Sequence, residues 1–323
     1  MSYSQIIDEL KSIQEEFFSK YGVNDIYSNS KIYEIIIADL LGHELIPGHA
    51  GSRDAKLGSR EYEYKHFKES SSNHSWTFND YSDSTISKLN DQSLDLVFAH
   101  VNDENFPPQV DWFYQVNGPV MSSYMLNYTK KIKNKRKMIN VSANQIETRM
   151  GILKKSFDKS KGKYSGELER IFSTIKKLEE MTRVDNILTS NKFWEVVVAN
   201  ELGHQVNSEQ GGRAGAHDAS DGHGNWFEYK VVVTNSWNFQ DISEQVLEKY
   251  FETKSVICAT VNKQELSVKE ILSISPEVLV PELRRLLKVK EVRAAKNNKE
   301  IRRSAISLGR TALINLGATK IKL

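Results

Sequence analysis

Residues 218–230 read Asp-Ala-Ser-Asp-Gly-His-Gly-Asn-Trp-Phe-Glu-Tyr-Lys, and residues 54–65 read Asp-Ala-Lys-Leu-Gly-Ser-Arg-Glu-Tyr-Glu-Tyr-Lys. Both stretches open on Asp-Ala, pass through a glycine-bearing turn and close on Glu-Tyr-Lys. Extended backbone puts alternate side chains on one face, so Glu228 and Lys230 project together with Tyr229 turned away. Asp221-Gly222 is a hairpin signal, and folding back there sets Asp218 beside Glu228. Asp54, Glu63 and Lys65 repeat the arrangement. Two carboxylates for a divalent cation, with one ammonium to place a water or a phosphate oxygen, are the ingredients of phosphodiester hydrolysis. One such pattern is weak evidence, since average composition yields it about once in every two chains of this length.

The second copy belongs to a longer repeat. Lys31–Glu44 lies over Lys192–Gln205 at an offset of 161, with six identities in fourteen positions and three Ile/Val exchanges. Ser75-Trp76-x-Phe78-x-Asp80-x-Ser82 returns as Ser236-Trp237-x-Phe239-x-Asp241-x-Ser243, and Ala99-x-Val101-Asn102 as Ala259-x-Val261-Asn262. A repeat of this period outranks other signals in deciding architecture. Two domains are expected, 1–160 and 161–323, joined near Gly162–Gly166. The region from Pro276 to Leu323 corresponds only loosely to 119–160.

Within a repeat, Ile6, Leu10, Ile13 and Phe17 fall at helical spacing over residues 4–20. A second helix is expected from a cap at Ser30 through Leu41, closed by Gly42, although Ile35, Ile36 and Ile37 in sequence also suit a strand. After the Asp54–Lys65 hairpin come a helix near 83–89 and a strand near 94–101; residues 105–150 read as helical in patches, broken at Pro107-Pro108 and Gly118-Pro119.

Helix with Glu, then Asp, then Glu-x-Lys on a hairpin, then helix and strand, resembles the PD-(D/E)XK nuclease superfamily, and type II restriction endonucleases in particular. The resemblance covers about residues 24–102 and 185–262; Arg53 and His217 stand where a proline often precedes the Asp. It implies an α/β fold of two tandem restriction-endonuclease-like domains, each a mixed central sheet flanked by helices, forming a pseudo-two-fold single-chain dimer. It implies that Asp54, Glu63, Asp218 and Glu228 bind Mg²⁺, with Mn²⁺ as substitute, while Lys65 and Lys230 orient or activate water. Glu34 and Glu195 match the upstream glutamate that some members add to the metal shell; a surface or salt-bridged role is the alternative. The implied reaction is hydrolysis of both strands of double-stranded DNA by a monomer, with a nicking, repair or homing enzyme, or a DNA-binding protein with decayed sites, as alternatives.

Oxygen-only ligands favour a hard cation over structural zinc. The formal net charge of +2 proves no nucleic-acid partner, but cations cluster: six of the eight residues 130–137 are basic, as are nine between Arg284 and Arg303. Lys135, Arg136, Lys137, Arg302 and Arg303 are therefore candidate phosphate contacts, and Arg53 and Arg213 join them from loops leading to the catalytic Asp. Such clusters are usually solvated helix faces, but alongside two phosphodiesterase-like sites a phosphate-tracking surface is the better reading. His43 and His204 are explained as helix C-terminal residues, and Trp76 and Trp237 as core anchors. Apolar runs fall far short of the roughly 18 residues that span a bilayer, so no membrane segment is expected. A single cysteine, Cys258, excludes an internal disulfide; with no basic-apolar leader at the start, a cytoplasmic location is expected.

Overall fold

The computed structural model describes residues 2–321 apart from 24, 29, 47–52, 131, 133–135, 160–161, 163–164, 189–190, 208–216 and 298–303. In chain order the first elements are α1 (Tyr3–Tyr21), α2 (Lys31–Leu41), β1 (Glu44–Leu45), β2 (Ala55–Leu57), β3 (Arg60–Lys68), β4 (Trp76–Ser82), α3 (Asp83–Ser87), β5 (Leu94–Asn102), β6 (Gln109–Asn117), α4 (Gly118–Thr129), β7 (Arg136–Val141), α5 (Ala143–Met150) and β8 (Lys155–Ser156). The same succession then recurs as α6 (Ser165–Thr182), α7 (Lys192–Leu202), β9 (Gln205–Val206), β10 (Ala219–Ser220), β11 (Trp226–Val232), β12 (Ser236–Phe239), α8 (Glu244–Tyr250), β13 (Ser255–Asn262), β14 (Ser267–Ile274), α9 (Pro276–Lys296), β15 (Ile306–Gly309), α10 (Arg310–Asn315) and β16 (Thr319–Ile321).

The protein is mixed α/β, with two six-stranded mixed sheets flanked by helices. One sheet has the order β1-β2-β3-β5-β6-β8 and the other β9-β10-β11-β13-β14-β16, so the strands correspond one for one. In each, a single parallel pair, β3 with β5 or β11 with β13, sits between antiparallel neighbours. The central strands β5 and β13 are buried along nearly their whole length, as strands covered on both faces must be. A two-stranded ribbon, β4 with β7 or β12 with β15, completes each copy.

The chain divides into two compact units that are interleaved relative to a cut at 160/161. One unit comprises 13–26 and 30–174; the other comprises 1–12, 27–29 and 175–323. The divisions fall within α1, after Ser12, and within α6, after Thr174. In the second unit Tyr27 stacks on Phe193 with ring centroids 5.0 Å apart, and the Trp194 indole donates to Ser28 Oγ at 2.8 Å. In the first, Arg170 holds Glu16 with Nη1 to Oε2 at 3.1 Å.

The repeated Ser-Trp-x-Phe-x-Asp-x-Ser is a folding device. Trp76 Nε1 donates to Ala99 O at 2.9 Å and Trp237 Nε1 to Ala259 O at 3.1 Å, fixing β4 and β12 to the central strands. Phe78 and Phe239 are fully buried. Asp80 and Asp241 take left-handed backbone with φ of 67° and 52°. Ser82 and Ser243 then cap α3 and α8 by accepting the Thr85 and Val246 amides. The tryptophans are core anchors, as expected.

Three details depart from expectation. Residues 31–41 are helical, but Ser30 has φ 59° and makes no side-chain cap. Gly42, with φ 69°, closes α2 in the left-handed conformation that glycine adopts without a Cβ penalty. Residues 109–117 and 136–141 are strands, not helix. The run Trp112-Phe113-Tyr114 masks the alternation of β6, while β7 hides in a basic stretch whose Ile139 and Val141 are buried against the core. The loosely matching C-terminal region also corresponds element for element to 118–156; α9 is 21 residues where α4 is 12, and that difference breaks the alignment.

Candidate active site

The hairpin places the acid beside the Glu-x-Lys strand in both units. Asp54 immediately precedes β2, whose Ala55 pairs with Tyr62 of β3, and Asp54 Oδ2 accepts the Tyr64 amide at 2.7 Å. Asp218 precedes β10, where Ala219 pairs with Phe227 of β11, and its Oδ2 accepts the Tyr229 amide at 2.6 Å. The turns differ. The first is short, around Gly58; the second is a longer loop in which Asp221 accepts the amides of His223 and Asn225.

Two residues along, glutamate and lysine meet on one face. Lys65 Nζ donates to Glu63 Oε1 at 2.6 Å, and Lys230 Nζ donates to Glu228 Oε1. The α2 glutamate, Glu34, sits in the first helical turn, where Lys31 donates to it. Glu195 has the same place in α7. Glu34 acts electrostatically on Asp54, and Asp218 acts on Glu195. Burial pushes Asp54 up to about 7, reinforced by Glu34 and then Glu63 and opposed by Lys65 and the Tyr64 amide. Burial pushes Glu195 up to about 8, reinforced by Asp218 and opposed by Lys230. Glu228 is pushed up to about 7 by burial, against the pull of Lys230.

Burial by itself lowers the two lysines, but Glu63 with Asp54, and Glu228 with Tyr250 and Asp218, outweigh it, so both are raised. Each is therefore a fixed ammonium at neutral pH.

Among the described residues, no group of three or more His, Cys, Asp or Glu side chains is arranged to hold a metal ion. A small hard cation asks less, since Mg²⁺ is commonly held by one or two carboxylates completed by waters and phosphate oxygens. The donors are oxygen-only and partly buried; desolvation, then the neighbouring carboxylates, push Asp54 and Glu195 toward holding a proton. In donor type and charge, the residues fit such an ion.

Tyrosines that the motif does not include complete both clusters. Tyr64 and Tyr229 lie between glutamate and lysine on the opposite strand face, and their hydroxyls stand 2.7 Å and 2.8 Å from Nδ1 of His43 and His204. The repeated Gly-His and Glu-Tyr-Lys held that signal. Tyr81 of β4 feels the Lys65 charge, and Lys230 Nζ lies 5.9 Å from the Tyr250 ring of α8. These two tyrosines come from different elements, so no alignment of the halves reveals them.

The proposed phosphate contacts fare unevenly. Lys137 is buried, with its ammonium 2.5 Å from Asp83, and so does not present itself to a ligand. Arg53 is held locally, with Nε 3.5 Å from Glu61 and Nη2 donating to Lys88 O. Arg136 begins β7, its side chain outside the described set; Lys135, Arg213, Arg302 and Arg303 lie outside the described residues altogether. Cys258, opposite Lys230 in the β11/β13 register, is fully buried and pushed up to about 12, an inert thiol. Among the described residues no helix is long and apolar enough to cross a membrane. No protein-family model matches the chain, and neither does any curated protein.

Proposed function

We propose that this chain is a Mg²⁺-dependent endonuclease with two active sites, one per unit, hydrolysing both strands of double-stranded DNA. In this reading its two units are restriction-endonuclease-like domains, the molecule acts as a monomer, and a type II restriction activity is the nearest description. The observation that carries it is the duplication of a partly buried carboxylate–lysine cluster at one topological position: Asp54, Glu63, Lys65 and Asp218, Glu228, Lys230, each with its Glu-x-Lys on a strand of the parallel pair.

Mg²⁺, or Mn²⁺ in its place, would be held by Asp54 and Glu63 with Glu34 nearby, and by Asp218 and Glu228 with Glu195 nearby. When bound it supplies charge stabilisation at the phosphate and eases formation of hydroxide. The chain's own part is positional. The Tyr64 and Tyr229 amides fix one oxygen of each Asp. The ammonium of Lys65 or Lys230, already hydrogen-bonded to glutamate, offers its remaining donors to a water or to a non-bridging phosphate oxygen.

A supercoiled plasmid incubated with the protein tests this. Linear product in Mg²⁺, none in EDTA, and none from the Asp54→Asn/Asp218→Asn protein is the expected result; intact plasmid in Mg²⁺ and Mn²⁺ across varied sequences overturns it. A nicking enzyme with one dominant site, the alternative reading, would give open-circular product in the same assay.

A further inference from the structure

The two clusters share a feature on the strand face turned away from the carboxylates. His43 follows Gly42 at the end of α2, its amide bonded to Ala38 O at 2.8 Å; His204 follows Gly203 at the end of α7, its amide bonded to Ala199 O at 2.8 Å. Each imidazole therefore extends from a fixed helix terminus. Each lies flat on an aromatic ring of the hairpin: His43 on Tyr62 at 3.7 Å and 25°, His204 on Phe227 at 4.1 Å and 26° between centroids and planes. Each meets the next tyrosine hydroxyl through Nδ1, at 2.7 Å and 2.8 Å. That tyrosine's own amide holds the site aspartate.

One residue thus carries two ties. Its amide fixes Asp54 or Asp218, its hydroxyl fixes the end of the helix that bears Glu34 or Glu195, and its chain neighbours are the catalytic glutamate and lysine. We propose that His43 and His204 are positioning residues, each acting through Tyr64 or Tyr229 to hold its helix and its Glu-x-Lys strand in register as one site. The role rests on the nuclease reading. Repetition separates it from ordinary core packing: stack, hydrogen bond and amide tie recur in both copies although the stacked ring has changed from Tyr62 to Phe227. Because both members of each tie lie in one unit, each histidine governs one site. Displacements well under 1 Å are enough to matter, since misplacement by about 1 Å can cost about a hundredfold in rate.

The test measures strand-resolved cleavage, in Mg²⁺, of an end-labelled duplex carrying a cut site mapped on the plasmid, with Mn²⁺ uptake without DNA read by titration. Tyr64→Phe, which deletes one oxygen, is expected to lower kcat on one strand at least tenfold, with KM for duplex within twofold and the other strand untouched. Tyr229→Phe should do the converse. His43→Phe keeps the stack and should match Tyr64→Phe, whereas His43→Asn, whose amide falls at about the place of Nδ1, should recover most of the rate. Parent-like kcat in both tyrosine variants overturns the positioning role, as does equal slowing of both strands with raised KM. A parent protein that neither cleaves nor takes up Mn²⁺ overturns the nuclease reading itself, and the role with it. If a histidine variant fails to fold, the single-oxygen tyrosine variants still decide the question.

Discussion

At the scale of single residues, electrostatics separates what the two lysines do from what the carboxylates do. The lysines stay charged and the carboxylates compete for a proton, so removing a lysine removes a donor without relieving that competition. Lys65→Ala and Lys230→Ala should each silence one strand by about 10²–10³-fold and leave a nickase, while the double variant should lose both activities. A gel resolving supercoiled, open-circular and linear plasmid reads this directly, and a single variant that loses nicking as well contradicts independent sites. His66 makes a second, separable prediction. Burial, then Lys65 and Lys68, push it down to about 4. Its unfolded counterpart titrates near 6.5, so between those values the unfolded chain binds more protons. The stability it contributes is present above about pH 6.5 and is lost as pH falls toward 4. Urea titrations of the parent and His66→Asn across this window should give a shallower decline in the variant.

Elements explain why the repeat was legible where it was and silent elsewhere. Asp…Glu-x-Lys could be read because it occupies one hairpin, where an alternation of two fixes which residues share a face. The Trp-x-Phe-x-Asp-x-Ser stretch is visible as a repeat and its tryptophans as core anchors, but not what they anchor to, because the partners of Trp76 and Trp237 lie over twenty residues away on β5 and β13. α2 was ambiguous for a physical reason: buried on nearly all sides, from Ile32 to Asp39, it shows neither clean helical nor clean strand periodicity. Tyr81 and Tyr250 were beyond reach, since only folding brings unrelated elements to equivalent lysines. One element junction offers a sharp check. A Cβ on Gly118, where β6 meets α4, would lie 2.3 Å from Leu89 O and 2.9 Å from Asp91 O, both backbone atoms that cannot rotate aside. Gly118→Ala should therefore destabilise by about 3 kcal/mol or more, toward the upper end for single substitutions. Trp76→Phe, which strands a buried carbonyl, should cost about 1–3 kcal/mol in denaturant unfolding.

For the whole molecule, two like-charged clusters in one chain make metal binding a matter of stability as well as activity. Mg²⁺ at ten times its dissociation constant should stabilise each site by about 1.4 kcal/mol, seen as a rise in melting temperature that Asp54→Asn/Asp218→Asn abolishes. Unchanged melting in millimolar Mg²⁺ would speak against clustered carboxylates.

The division of α1 and α6 between the units bears on how this chain can be taken apart. Ile6 and Leu10 are buried in one unit while Ile13 and Phe17, on the same helix, are buried in the other; Phe172 and Ile175 part company in the same way across α6. A gene cut near codon 160 would thus yield two polypeptides that each retain a half-helix belonging to the other's unit. Expressed singly, 1–160 and 161–323 should be recovered poorly folded, with weak amide-exchange protection. Expressed together, they should find one another and restore a cooperative unfolding transition, as a protein in two pieces does when its modules were never separate in the chain. Two independently stable fragments would mean that the shared helices are ornamental.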